Sequence, residues 1–109
     1  MRSRRLERAT ELVQRELSGI IAKNVIFDGA IITLTRTELS DDLHYGDVYF
    51  MVIPDKFAEQ AHKILKKNIF DLQQALNKRL RMRPVPKIRF HRDEAEFEAA
   101  KLDELLKGV

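Results

Sequence analysis

The sequence predicts an α+β fold in which helices cover one face of a three-stranded mixed sheet, in the order α-β-β-α-kink-α-β with a further C-terminal helix. Three observations predict it. Apolar residues recur at steps of three and four in four stretches, the period of a buried helix face. Three stretches alternate apolar and polar residues, two of them rich in β-branched residues, as strands do. A short link joins the first two strands, which suits an antiparallel pair, whereas a helical crossover joins the second and third, which makes them parallel if adjacent.

From Leu6 to Ile21 the apolar positions Leu6, Ala9, Val13, Leu17 and Ile20 form the stripe of an amphipathic first helix, and Glu11 with Arg15 is an i,i+4 pair in the favourable order. Asp28-Gly29 then supplies a turn. Ala30 to Leu39 reads as the first strand, but its alternation slips: Ile32 and Leu34 share a face, and the next inward pair is Thr37 and Leu39. Either a β-bulge near Arg36 or a strand exposed on one face gives this pattern. Ser40-Asp41-Asp42 is turn material, and Gly46 to Ile53 is the second strand with Val48, Phe50 and Val52 on one face.

Pro54 with Asp55 opens a helix whose buried stripe is Phe57, Ala58, Ala61, Ile64 and Leu65. The pattern breaks at Asn68-Ile69-Phe70-Asp71, where Asn68 is suited to cap a new helix and Asp71 falls in its first turn, so two helices meet at a kink. The second continues through Leu72, Ala75, Leu76 and Leu80 until Pro84-Val85-Pro86 ends it. Lys87 to His91 is the third strand, with Ile88 and Phe90 inward and Lys87, Arg89 and His91 outward. Asp93-Glu94-Ala95-Glu96 resembles a capping box opening a last helix that carries Ala95, Ala99, Leu102 and Leu106.

At 109 residues, with 44% hydrophobic and 34% charged, the chain is one domain's worth of protein with enough apolar material for a core. The absence of Cys excludes disulfides, thiolate nucleophiles and Cys-ligated metal, and suits a reducing compartment. No apolar run reaches membrane-spanning length, and the Arg-rich start enters an amphipathic pattern carrying acids, unlike a signal peptide. A cytoplasmic monomer, with no membrane partner, is the expectation.

The net charge of +3 hides a segregated distribution. Residues 1–24 hold six Lys or Arg against three acids, residues 77–92 hold seven against none, and residues 93–109 reverse the balance with six acids against two Lys. Such separation points to a polyanion partner. Lys78, Arg79, Arg81, Arg83, Lys87, Arg89 and Arg92 are candidate contacts for such a polyanion. Helix-end electrostatics accounts for Lys78 to Arg83 equally well, but not for strand residues. Arg2, Arg4, Arg5 and Arg8 read as a basic N-terminal arm that either frays in solvent or reaches phosphates. Tyr45 and Tyr49 either stack on bases or pack on the sheet.

Chemistry beyond binding finds no constellation. His44 beside Asp41 and Asp42 is a polar turn rather than a metal site, and His62 and His91 read as isolated on exposed positions. Ser occurs only at positions 3, 18 and 40, and no Gly-rich phosphate loop is present. No catalytic residue, metal ligand, cofactor or small-molecule substrate is assigned.

The α-β-β-α-α-β order resembles the type II KH domain, a nucleic-acid-binding module. The Gly-x-x-Gly clamp of that module has no counterpart, because no Gly occurs between Gly46 and Gly108. More closely, the chain resembles the ribosome-binding factor A family. The residues that carry this are Glu16-Leu17-Ser18-Gly19-Ile20-Ile21; Ile32-Thr33-Leu34-Thr35 followed by Leu39-Ser40-Asp41-Asp42-Leu43; Asp47-Val48-Tyr49; and Leu80-Arg81-Met82-Arg83-Pro84-Val85-Pro86-Lys87-Ile88-Arg89-Phe90 with Asp93. Three departures stand against the family pattern. Asp28-Gly29-Ala30 replaces Asp-Pro-Arg, Asn68-Ile69-Phe70 replaces an Ala-x-Gly kink, and Gln73 stands where an Arg is common.

The resemblance implies a KH-like RNA-binding domain over residues 1–92 and an acidic C-terminal helix over residues 93–109. It further implies a non-enzymatic assembly factor that binds the small ribosomal subunit and its 16S ribosomal RNA during late maturation and rRNA processing. The alternative is a protein-interaction module with a KH-like fold that does not rely on RNA.

Overall fold

The chain's computed structural model describes residues 3–25, 27 and 29–94. Helix α1 runs Arg4–Asn24, and the Ser3 hydroxyl caps it by accepting the Leu6 N–H at 3.1 Å. Its buried stripe is Leu6, Ala9, Val13, Leu17, Ile20 and Ile21, as the periodicity predicts. Strands β1 (Ile31–Leu39) and β2 (Tyr45–Ile53) form an antiparallel hairpin, and β3 (Lys87–Arg92) pairs parallel to β2, giving the order β1-β2-β3. The slip in the first strand is a bulge. Register shifts between Leu34, which faces Phe50, and Arg36, which faces Tyr49, so Thr37 and Leu39 return to the buried face.

The turn between β1 and β2 is held by hydrogen bonds from Leu43 N–H to Ser40 O and from Ser40 N–H to Tyr45 O, both 2.9 Å. Leu43 sits at φ 63°, a conformation L side chains rarely adopt, and burial of its side chain holds it there. Just past the turn, a Cβ at Gly46 would meet Leu39 Cδ2 at 3.0 Å and Ile88 Cδ1 at 3.2 Å, so the three strands close up at this end around a residue without a side chain.

After β2 the chain departs from expectation at its first helical turn. Pro54 does not open an α-helix directly. A 3₁₀ turn, Asp55–Phe57, precedes helix α2 (Ala58–Lys67), because the first hydrogen bonds, Phe57 N–H to Pro54 O and Ala58 N–H to Asp55 O, close over three residues.

Helix α3 (Ile69–Arg79) follows at the expected junction, but Asn68 does not cap it through its side chain. The Asn68 Nδ2 donates instead to Ile64 O at 2.8 Å, satisfying a carbonyl at the end of α2, while the Asn68 carbonyl accepts Leu72 N–H to start α3. The residue thus closes one helix with its amide and opens the next with its backbone.

All three helices lie on one face of the sheet. Phe50, Val48, Leu17, Ile20, Leu65, Leu72 and Leu76 are among the side chains buried between them, and one apolar cluster joins the helices to the inner strand positions. Gln73 covers the free edge of β3: its amide accepts Ile88 N–H at 2.9 Å and donates to Pro86 O at 3.0 Å, taking the place of a neighbouring strand. The expected last helix lies outside the described residues beyond Glu94. Asp93, at its start, is 3% exposed; its N–H extends the β2–β3 ladder to Phe50 O, and its carboxylate accepts the Thr35 hydroxyl at 2.5 Å. The unpaired residue of the bulge therefore ties β1 to the end of β3.

Candidate nucleic-acid interface

Arg4, Arg5 and Arg8 are exposed but do not form an arm. They occupy the first turns of α1, where a positive charge works against the helix dipole, so helix stability does not explain their presence. Arg2 lies outside the described residues. Ser3, Arg5 and Leu6 share a cleft with Asp41, Asp42 and Leu43, which places the start of α1 against the β1–β2 turn. The start of β3 meets the same turn through Lys87 N–H to His44 O at 2.8 Å. One residue of each basic stretch, Arg5 and Lys87, thus comes to the same turn.

The stretch that is free of acids in sequence is not free of them in space. Arg79 pairs with Glu16 of α1 at 3.3 Å, Arg89 with Asp47 of β2 at 3.0 Å, and Arg92 with Asp55 at 2.7 Å. Arg83 turns its guanidinium back on the chain, donating to Leu80 O at 2.9 Å and Met82 O at 2.7 Å, and so helps hold the link between α3 and β3. Among the described residues, no carboxylate lies within 4.0 Å of Lys78, Arg81, Arg83 or Lys87, and all four are exposed. Within residues 77–92, these four are the cations with charge left for a polyanion.

The outer face of the sheet carries a network that sequence reasoning missed. Asp47 sits at its centre, taking Arg89 on one side and the His91 Nε2–H at 2.7 Å on the other. Burial pushes the Asp47 carboxyl up, but hydrogen bonds from His91 and Arg89, with their charge, outweigh it and hold the group below the usual carboxylate range. The Arg36 guanidinium lies 3.8 Å over the Tyr49 ring, which also meets His91 at 5.2 Å, and Arg36 reaches Glu38 at 2.9 Å. Arg89 lies 5.1 Å over Tyr45.

Alternation along β2 placed Asp47 beside both tyrosines. Its partners depend on the parallel register Asp47 to Arg89 and Tyr49 to His91, which no local pattern encodes. His91 is accordingly not isolated, and neither is His62, which donates to Phe90 O at 3.1 Å and packs its ring against Phe50 at 5.2 Å.

At the kink, Asn68 and Ile69 are half-buried, while Phe70 is 70% exposed and Asp71 is exposed. Asn68 and Asp71 line a cleft with Asn24, Leu72 and Ala75, where the ends of α1 and α3 meet. Gln73 is a structural amide, as its bonds to β3 show, and cannot substitute for a phosphate-binding Arg. The turn acid Asp42 is engaged locally: the Ser40 hydroxyl and the His44 N–H hold its carboxyl below the ordinary range. Among the described residues no group of three or more His, Asp or Glu side chains is placed to hold a metal.

Known proteins resemble this chain in sequence and fold. Residues 5–106 match the family model of ribosome-binding factor A. A protein of Acinetobacter baumannii named ribosome-binding factor A is 31% identical over 100 residues, covering 83% of this chain and 75% of its own length. One from Pelodictyon phaeoclathratiforme with the same name is 30% identical, covering 96% of this chain and 91% of its own. The crystal structure of ribosome-binding factor A from Thermus thermophilus superposes with a TM-score of 0.70 at 25% identity, over 83% of this chain and 97% of that one. With a KH-like fold in common and most of its length matched, the chain belongs to the ribosome-binding factor A family.

Proposed function

We propose that this chain is a non-enzymatic ribosome assembly factor of the bacterial cytoplasm that binds the small ribosomal subunit through its 16S ribosomal RNA and promotes late maturation, including rRNA processing. The observation that carries this reading is the set of exposed cations Lys78, Arg81, Arg83 and Lys87, unpaired by carboxylates among the described residues, on a chain of this family. Arg4, Arg5 and Arg8 add charge in the first turns of α1, Arg5 in a cleft with the β1–β2 turn, and Arg2 precedes them in sequence. Arg79, Arg89 and Arg92, each paired with an acid, complete the proposed contact set. Residues 1–92 are the RNA-binding unit in this reading, and residues 93–109 an acidic appendage. The protein acts as a monomer and shifts a conformational equilibrium of precursor RNA, which requires tighter binding to precursor than to mature subunits.

Co-sedimentation with precursor and mature subunits across a salt series, with and without nuclease, tests this. About five phosphate contacts give a log-log salt slope near −3.5 for single-stranded RNA. Reversing Lys78, Arg81 and Lys87 to Glu should flatten that slope and remove binding while far-UV circular dichroism stays unchanged. A second reading, a protein-interaction module, is favoured by the exposed Phe70 ring at the kink. Nuclease-insensitive, salt-tolerant association that Phe70→Ala removes would favour it over RNA binding.

A further inference from the structure

Tyr45 stands beside Lys87, one of the cations without a carboxylate partner among the described residues, on the outer face of the sheet, and it is 47% exposed. Its surroundings fix it in place. The Tyr45 N–H donates to Ser40 Oγ at 3.0 Å and its carbonyl accepts Ser40 N–H, so the backbone is pinned to the turn. Arg89 lies over the ring, and Asp47 holds that guanidinium through both Nε and Nη2. In the parallel register Tyr45 faces Lys87, an exposed cation with no carboxylate partner among the described residues. The other large apolar side chains exposed on the sheet, Ile31 and Ile53, pair at the opposite end of the hairpin, about eight residues or ~26 Å along β2. Tyr45 therefore stands beside Lys87 and Arg89, with Tyr49 four residues along the same face covered by Arg36, and is not part of an apolar protein-docking patch.

We propose that Tyr45 is a stacking platform for an unpaired nucleobase of RNA, with Lys87 holding the adjacent phosphate. This rests on the RNA-binding reading above and adds to it the class of RNA recognised at this point, single-stranded rather than duplex. An aromatic ring accepts any base on its face, and a ring already oriented by an Arg gives up little freedom when a base lands on it. A duplex keeps its base faces stacked internally and offers Tyr45 nothing.

The chain has two Tyr and no Trp, so Tyr49→Phe leaves Tyr45 as the sole tyrosine emitter. In that variant, a single-stranded oligoribonucleotide should quench tyrosine emission in step with the anisotropy change of a labelled copy, and a blunt RNA duplex should not. Tyr45→Ala should weaken single-strand binding roughly 5- to 150-fold, the range that loss of one base–aromatic stack gives, and Tyr45→Phe should restore it. The thermal midpoint of Tyr45→Ala, matched to wild type, separates loss of stacking from loss of fold.

Anisotropy showing that the strand binds with no quenching would overturn the platform while leaving the RNA reading intact. Absence of RNA binding by anisotropy would overturn both. Quenching by heparin equal to that by RNA, or by nuclease-treated subunits, would assign the ring to general polyanions or to a protein and overturn the proposal.

Discussion

On the inner face of the sheet Val48, Phe50, Val52, Ile88 and Phe90 are buried under three helices. On the outer face the alternate residues of the same strands, Tyr45, Asp47, Tyr49, Arg89 and His91, hold one another by ion pairs and ring contacts. The inner set is held by area removed from water, which tolerates exchange among apolar residues of similar size. The outer set depends on which residue faces which across the strands, and each contact is partly exposed, so its contribution to stability is small. The inner face fixes the fold, and the outer face is left free to arrange charge and rings.

The sharpest break of this comparison is at the centre of the inner face. Phe50 is fully buried and touches the His62 ring, so Phe50→Ala should cost about 3–5 kcal/mol in urea unfolding, through lost transfer energy and the cavity left behind. A loss below about 1 kcal/mol would mean that the helices do not bear on the sheet as described. By contrast, Tyr45→Ala on the outer face should change stability little while changing RNA binding.

How far each face could be read from sequence follows from the same contrast. The three- and four-step stripes of α1, α2 and α3 and the two-step alternation of β2 and β3 are local patterns, so the helices, the strands and most of the buried set were legible. Phe57, Ile64 and Ala75 of the expected stripes are, however, only half-buried. The slip in β1 was legible too, but it fitted a bulge and a strand exposed on one face equally well, and only the register against β2 decides for the bulge. The 3₁₀ turn before α2 and the use of the Asn68 amide on α2 rather than α3 depend on backbone geometry that residue type does not decide. The charge map misled most. Counting along the chain left residues 77–92 without acids, yet Glu16, Asp47 and Asp55 arrive from three other elements to pair with Arg79, Arg89 and Arg92. Gln73 was readable only as a missing Arg, since its role at the edge of β3 needs the helix and strand side by side.

A smaller effect is expected where the two faces join. The Thr35 hydroxyl donates to the buried Asp93 carboxylate, and Arg36 approaches the same carboxylate at 3.7 Å. Thr35→Val keeps the β-branched shape at the bulge and removes only the donor, so the loss should be about 1.5–3 kcal/mol, the range for a hydrogen bond to a charged group. An unchanged urea midpoint would show that Arg36 or another donor satisfies Asp93 without Thr35, and that the bulge is fixed by the return of Thr37 and Leu39 to the core alone.

The smallest effect belongs to the outer network and is best read against pH. Asp47 has its folded-state pKa below the unfolded value of about 3.9, because the His91 and Arg89 hydrogen bonds outweigh its burial. Between those two values the unfolded chain binds more protons at this group than the folded one, so stability rises with pH there. The contribution is complete above the unfolded pKa and is lost as pH falls through the folded one. Asp47→Asn removes this term and should cost no more than about 1 kcal/mol at neutral pH, as expected for a partly exposed ion pair. The difference between wild type and variant should then shrink toward zero below about pH 4, once the wild-type carboxyl is protonated as well. A difference that stays constant from neutral to acid pH would show that Asp47 acts on the outer face by shape, as the residues of the inner face do, and the division of labour between the two faces would fail at its central residue.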